Sequence, residues 1–352
     1  MKIGIVTVYF ADYGSFFHTM SLYNYLESLG HDCELVSYSI RRHYSWKLNS
    51  VYYFEKFFPK PFQKLAARLV PAYNTFRILK RDLEGVSISP NYSCIQELED
   101  RYDCIVIGSD ELWSATNPTI NFVPAYFGLG ITKPHFSYAT SGITLKNPSP
   151  ELRRQMKEGL DGFCAISARD RITCNWVEEL TGKTCVEVLD PTLLYPYFAD
   201  EGAADSDYIA VYGEHFSTEQ VRAITAFAKL HNKKLRAISW RHEWCDEFAT
   251  PSCADEVQRE FANSFYCMSS TFHGTIFSIL HKRNFTCFTS SLRGLKVKTL
   301  LEKLGAEDRL FVGGEIVDKP VDYAKLYESI AALRTSSESY MASALKAVGS
   351  RG

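Results

Sequence analysis

The 352-residue chain contains no CxxC pair, no Walker A sequence, no long apolar run and no excess of either charge. Each absence removes a class of function. Ten cysteines are scattered from Cys33 to Cys287, so neither a zinc ribbon nor a compact disulfide framework is indicated, and buried, reduced thiols are expected. Lys plus Arg number 39 against 41 for Asp plus Glu, a net charge of -2, which leaves no global basic field for a nucleic-acid partner. No stretch approaches the roughly 20 apolar residues of a membrane-spanning helix. The opening MKIGIVTVYFADYG suits a first strand better than a signal peptide, so a cytoplasmic protein is expected, and the sequons at Asn91 and Asn284 carry little meaning there. Gly128-Leu129-Gly130 is too short for a dinucleotide fingerprint.

What is present is a globular composition, 46% hydrophobic and 23% charged, in a chain long enough for roughly two domains of about 150 residues. The run from Ile3 to Val8, a turn from Asp12 to Ser15 and a helical pattern from Thr19 to Leu29 closed by Gly30 precede a second strand at Cys33 to Ser37. That order is a βαβ unit of parallel-sheet type. The theme recurs. Cys104 to Ile107, Phe136 to Ala139 and Cys164 to Ser167 each run into small or polar residues, and the last leads into a helix ending at Gly182. After an acidic stretch a second array begins with the strand Tyr208 to Tyr212 and the capping-box signature Ser217-Thr218-Glu219-Gln220. Strands at Leu235 to Ser239, Phe265 to Met268 and Phe285 to Phe288 follow, then a long helix from Tyr323 to Ala347.

The expected fold class is therefore α/β, with two doubly wound Rossmann-like domains facing across a cleft and a C-terminal helical segment. The expected boundaries are residues 1–198 for the first domain, 199–207 for a linker, 208–322 for the second domain and 323–352 for the helical segment. A helical insertion is placed near 41–82. Its part from Arg41 to Val70 carries seven basic residues against the single acid Glu55, interleaved with aromatics. Such a stretch can meet an anionic membrane surface, although aromatics packed on the first domain explain the same pattern.

In an open parallel sheet, ligands bind outside the carboxyl ends of strands, and three such turns carry chemistry. Ser269-Ser270-Thr271-Phe272-His273-Gly274 combines three hydroxyls, an imidazole and a glycine before a helix expected from Thr275 to His281. Backbone N–H groups and the helix dipole there favour a phosphate or carboxylate, and His273 can deliver a proton near neutral pH. The plain alternative is a loop whose hydroxyls merely cap the helix. Ser167-Ala168-Arg169-Asp170 presents a guanidinium suited to bidentate contact with an anion, or to an ordinary salt bridge. Gly108-Ser109-Asp110-Glu111-Leu112-Trp113 sets a carboxylate beside an indole on which a sugar can stack, though Asp110 serves equally as a helix N-cap. Asp205-Ser206-Asp207 lies in the acidic linker and His242-Glu243-Trp244-Cys245 lacks the second histidine of a zincin, so no metal site is expected.

Taken together, these turns resemble the polysaccharide pyruvyl transferase family. The resemblance runs through Tyr13-Gly14, Ile107 to Trp113, Ile166 to Asp170, Val188-Leu189-Asp190-Pro191-Thr192-Leu193-Leu194, Ser270 to Thr275 and Leu300 to Leu310. It implies a fold similar to two-domain GT-B glycosyltransferases. It also implies transfer of the enolpyruvyl unit of phosphoenolpyruvate onto two hydroxyls of a sugar, forming a cyclic pyruvate ketal. On this reading His273 and Arg169 are catalytic and bind the donor together with Ser270, Thr271, Phe272 and Gly274. Asp110 orients or deprotonates the sugar hydroxyl, and Tyr13, Gly14, His18, Ser109, Asp110 and Trp113 line the acceptor. Some relatives carry Arg where this chain has Thr271, so Arg293 or Lys296 is expected to meet the phosphate charge instead. Phe17-His18 stands where relatives often show Leu-Gln, which alters the acceptor pocket. No cofactor is implied beyond phosphoenolpyruvate as co-substrate, and the sugar acceptor could be lipid-linked, with 41–70 touching the inner membrane face. The alternatives are a sugar-nucleotide-dependent glycosyltransferase of the same fold and a non-catalytic sugar-binding relative.

Overall fold

The computed structural model describes residues 1–9, 12–37, 71–90, 92, 97, 100–117, 121–198, 206–289 and 294–350. The basic-aromatic segment 41–70, most of the expected linker and Arg293 lie outside the described residues. Contacts group the chain into two compact units, one drawn from Met1–Leu69, Leu83–Tyr197 and Leu333–Gly352, the other from Val70–Asp82 and Phe198–Ala332.

The first unit is built on a parallel sheet in the order β2-β1-β3-β4, formed by β1 (Lys2–Val6), β2 (Asp32–Leu35), β3 (Cys104–Ile107) and β4 (His135–Ser137). A second parallel pair, β5 (Ile166–Ala168) and β6 (Cys185–Glu187), continues from it through bridges between Phe136 and Ala165 and between Thr140 and Ala168. Every residue of β3 is buried, because a parallel strand covered by helices on both faces reads as an uninterrupted apolar run. Each fully buried isoleucine of that strand contributes about 1.5–3 kcal/mol.

Helix α1 (Tyr13–Ser28) starts at Tyr13, earlier than the Thr19 expected from the pattern. Asp12 accepts from the Ser15 N–H at 2.7 Å and Ser15 Oγ accepts from the Asp12 N–H at 2.9 Å, a capping box that fixes the start. The early turn escapes a periodicity argument because the helix is buried nearly all round, leaving no polar face to mark its phase. Helix α2 (Pro71–Asp82) groups with the second unit, where the Ala254 N–H donates to Asp82 Oδ2 at 2.6 Å. Helices α3 (Pro150–Asp161), α4 (Arg171–Thr181) and the single turn α5 (Pro191–Leu194) complete the first array.

The second unit holds an all-parallel sheet in the order β11-β10-β7-β8-β9. Its strands are β7 (Tyr208–Tyr212), β8 (Lys234–Ile238), β9 (Glu247–Ala249), β10 (Tyr266–Ser269) and β11 (Phe285–Cys287). Around it lie α6 (Thr218–Leu230), α7 (Ala254–Ala262), α8 (Phe272–Leu280) and α9 (Gly294–Leu304). The Ser217–Gln220 capping box forms as the sequence predicts. Helix α10 (Tyr323–Gly349) ends the chain. Its later part braces the first unit: Tyr340 donates to the Ser137 carbonyl at 2.7 Å, and Ser337 Oγ accepts from the Leu189 N–H at 2.8 Å.

Both sheets reverse strand order at an interior point, between β1 and β3 in the first and between β7 and β10 in the second. These are the topological switch points where open α/β sheets bind ligands. The nine described cysteines are free, and burial pushes thiols such as Cys33 and Cys287 up to about 12, so they stay protonated. Among the described residues no helix is long and apolar enough to cross a membrane.

Candidate active site

At the first switch point β3 runs into Gly108, Ser109 and Asp110. Glycine is required at 108, where φ is 126° and a Cβ would fall 2.1 Å from the Tyr138 carbonyl oxygen. The backbone turns sharply and places Asp110 at φ 94°, and no helix follows, so the N-cap alternative for Asp110 does not hold. Its carboxylate, 26% exposed, is held from two sides. Arg169 Nη2 donates to Asp110 Oδ1 at 3.3 Å, and His18 Nε2 lies 3.5 Å from Asp110 Oδ2.

His18 is fully buried on α1, with its Nδ1 2.7 Å from Ser109 Oγ. When that hydroxyl donates to Nδ1, the Nε2 proton faces the Asp110 carboxylate. Ser109 is fixed in turn by Thr7, whose hydroxyl donates to the Ser109 carbonyl at 2.9 Å. Thr7, beyond the end of β1, thus holds Ser109, and Ser109 holds His18.

Arg169 is more constrained than a free anion anchor. Its Nη1 donates to Asp190 Oδ2 at 3.1 Å while Nη2 holds Asp110, and its side chain is 4% exposed. Burial disfavours the charged guanidinium, but Asp110 and Asp190, reinforced by Glu111 and Asp170, outweigh it and hold the group above the ordinary arginine range. Both terminal nitrogens are committed to carboxylates. This geometry fits a residue that orients Asp110. Asp190 is the partner that sequence reasoning missed. It caps α5, accepting from the Thr192 N–H at 3.1 Å and hydroxyl at 2.5 Å, and the Asp-Pro-Thr sequence signals that cap without revealing the second role.

Trp113 also departs from expectation. It is wholly buried, its indole N–H donates to the Tyr126 carbonyl at 2.7 Å, and its ring packs against Phe127, Phe163 and Trp176. No face is open for a sugar, so Trp113 is a core residue and not an acceptor platform. Tyr13 and Gly14 are likewise buried, on the first turn of α1.

At the second switch point, α8 begins at Phe272, not at Thr275, because Thr271 is its N-cap and accepts from the Gly274 N–H at 3.0 Å. Phe272, His273 and Gly274 thus form the first helical turn. The Thr271 N–H donates to Ser269 Oγ at 3.1 Å, which tightens the link. His273 is half-buried, its ring 6.2 Å from that of Phe277 and nearly parallel to it. The helix start offers backbone N–H groups and the positive dipole end beside Ser270 and His273, an arrangement that can hold a phosphate. Lys296 lies on the first turn of α9. The structure thus assembles His18, Ser109, Asp110 and Arg169 in one unit and Ser270, Thr271, Phe272, His273 and Gly274 in the other. Among the described residues no group of three or more His, Cys, Asp or Glu side chains could hold a metal ion.

A family model described as polysaccharide pyruvyl transferase matches residues 13–291, most of the chain. The protein belongs to the polysaccharide pyruvyl transferase family, and it is a transferase on an α/β fold of two Rossmann-like arrays with a C-terminal helix. Among solved structures it is similar to a protein from Listeria monocytogenes assigned as a UDP-N-acetylglucosamine 2-epimerase, with 9% identity, 98% of this chain and 90% of that chain covered, and a TM-score of 0.52. It is also similar to the UDP-GlcNAc 2-epimerase from Methanocaldococcus jannaschii, with 11% identity, 94% and 92% covered and a TM-score of 0.47. The glycosyltransferase SnogD from Streptomyces nogalater gives 12% identity, 100% and 99% covered and a TM-score of 0.43. At such identity the first likeness establishes the fold alone. No curated protein shows a significant match to the chain.

Proposed function

We propose that the protein transfers the enolpyruvyl unit of phosphoenolpyruvate to two hydroxyls of one sugar, forming a cyclic pyruvate ketal and releasing phosphate. The observation that carries this reading is Asp110, a partly exposed carboxylate at a switch point, oriented by Arg169 and His18 in a chain of this family. His273, on the first turn of α8, protonates the methylene carbon of the donor and generates an oxocarbenium-like centre at C2. A sugar hydroxyl adds to C2 as Asp110 takes its proton. The second hydroxyl then forms its bond to C2 while the bond from C2 to the phosphate oxygen breaks and phosphate leaves with the electron pair. One hydroxyl hydrogen is balanced by the new methyl hydrogen and the other by the released phosphate.

The phosphate is bound by the N–H groups at the start of α8 and by Ser270, with Lys296 as an added positive charge. Thr271, which stands where some relatives carry arginine, serves by capping that helix start. Arg169 and Asp190 act on Asp110, not on the donor. The reaction needs no cofactor beyond its co-substrate, since an imidazolium and a carboxylate complete the proton transfers. The test incubates the protein with phosphoenolpyruvate and a panel of free, nucleotide-linked and lipid-linked sugars, following phosphate release and product mass. Pyruvylated products are expected. Glycosyl transfer from a nucleotide sugar, with no phosphoenolpyruvate-dependent phosphate release, would replace this reading with a glycosyltransferase.

A further inference from the structure

The loops after β7 and β8 gather aromatic rings at the carboxyl edge of the second sheet. Trp240 meets Tyr212 edge-on at 4.9 Å, and His242 stacks on Trp244 at 5.0 Å with 27° between planes. Phe216 meets His242 at 5.5 Å and Trp244 at 5.6 Å. Tyr212 is buried, but Trp240, His242, Trp244 and Phe216 are each only partly covered, so the group is a platform at the rim of the core. His242 Nε2 donates to the Gly213 carbonyl at 2.8 Å, which ties the β8 loop to the end of β7.

This platform adjoins the turn that carries His273. The Ser270 N–H donates to the Tyr212 carbonyl at 3.0 Å, and a Cβ on Gly213 would meet Ser270 Oγ at 1.9 Å, so the two loops are in direct contact. Beside the rings Ser239, at φ 67°, holds a buried hydroxyl that has no hydrogen-bond partner among the described residues. Partly open aromatic faces with a few polar groups at their edge are the usual lining of a small-ligand site. The exposed charges on these loops are Glu214, Arg241, Glu243 and Asp246, three acids to one base, which disfavours a diphosphate and leaves carboxylates able to accept from hydroxyls.

We propose that Trp240, His242 and Trp244 bind a neutral pyranose ring of the acceptor, stacked on indole and adjacent to the His273 turn. The word acceptor rests on the transferase reading above, whereas binding of a neutral pyranose does not. Trp113, the indole expected for this task, is enclosed, whereas Trp240 and Trp244 are partly exposed.

The test is saturation-transfer NMR with methyl glucoside, galactoside and mannoside as probes and uridine diphosphate as competitor. Transfer to ring C–H protons of at least one pyranoside is expected, weakened about tenfold or more by Trp244→Ala and Trp240→Ala and left in place by uridine diphosphate. Circular dichroism checks each variant. Should an alanine variant unfold, Trp244→Phe and Trp240→Phe decide, with a partial loss expected and an unchanged signal counting against the site. Absence of transfer in the wild type, an unchanged signal in folded variants, or displacement with saturation of uracil protons would each overturn the proposal. Phosphate release is assayed on the same samples. Pyranoside binding at the tryptophans without any phosphoenolpyruvate-dependent release would overturn the transferase mechanism and leave the pyranose site standing.

Discussion

Arg169 Nη2 lies 3.3 Å from Asp110 Oδ1, a contact between residues 59 positions apart that joins the carboxyl end of β3 to that of β5. The charge of the guanidinium is thereby compensated by Asp110 and by Asp190, and the contact fixes the Asp110 carboxylate.

Replacing Arg169 by Ala should therefore cost about 3–5 kcal/mol of stability in urea unfolding, because Asp110 and Asp190 would face each other without their counter-charge. Arg169→Lys keeps the charge but loses the two-pronged geometry. In that variant kcat should fall while the KM for phosphoenolpyruvate stays near wild type. A selective rise in that KM would instead return Arg169 to the donor.

Asp110→Asn preserves shape and removes the proton acceptor. Turnover should drop by about 10²–10⁴. Donor binding, measured by calorimetry with phosphoenolpyruvate, should be unaffected, and weakened binding would move Asp110 to the donor side.

His273→Ala should lower phosphate release about 10² or more with little change in melting temperature, since the half-buried ring leaves no large cavity. Thr271→Ala separates positioning from chemistry. Loss of the cap should cost about 1 kcal/mol, and Thr271→Ser, which keeps the capping oxygen, should restore both stability and rate.

Glu34 provides a pH test of the sheet edge. Burial alone would raise its pKa, but hydrogen bonds from Tyr102 and Arg101 outweigh burial and hold the carboxyl below its ordinary value of 4.5. A depressed folded-state value adds stability that is present above the unfolded pKa and is lost as pH falls through the folded one. The penalty of Glu34→Gln, read by denaturant unfolding, should be full at pH 7 and shrink below about pH 4.5. A penalty independent of pH would show that packing, not charge, is what the substitution removes.

The segment from Arg41 to Val70 should bind liposomes of anionic lipid weakly at low salt and release them as salt rises, with about 1 kcal/mol from each basic residue near the surface. Sedimentation of the wild type beside a variant with Arg41, Arg42, Lys56, Lys60 and Lys64 changed to Gln measures this. Equal binding by both would assign the stretch to packing.

The central strands were legible because a parallel strand buried on both faces is an apolar run with polar ends. The apolar runs Cys104–Ile107 and Tyr208–Tyr212 coincide with β3 and β7. Local chemistry also reads directly, as at the Ser217 capping box. The starts of α1 and α8 were harder. The first lacks a polar face, and at the second Ser270, Thr271, Phe272 and His273 look like a loop until Thr271 is seen to cap it.

By itself the sequence determined the alternation of strands and helices and the family, since both are written in residues near one another along the chain. The tertiary structure alone decided that Arg169 belongs to Asp110 and Asp190 and that His18 stands behind the same carboxylate. It also enclosed Trp113 and left Trp240 and Trp244 partly open. A carboxylate's partner and an indole's exposure depend on which distant segments fold over them, and a guanidinium between two acids reads in sequence just like one waiting for an anion.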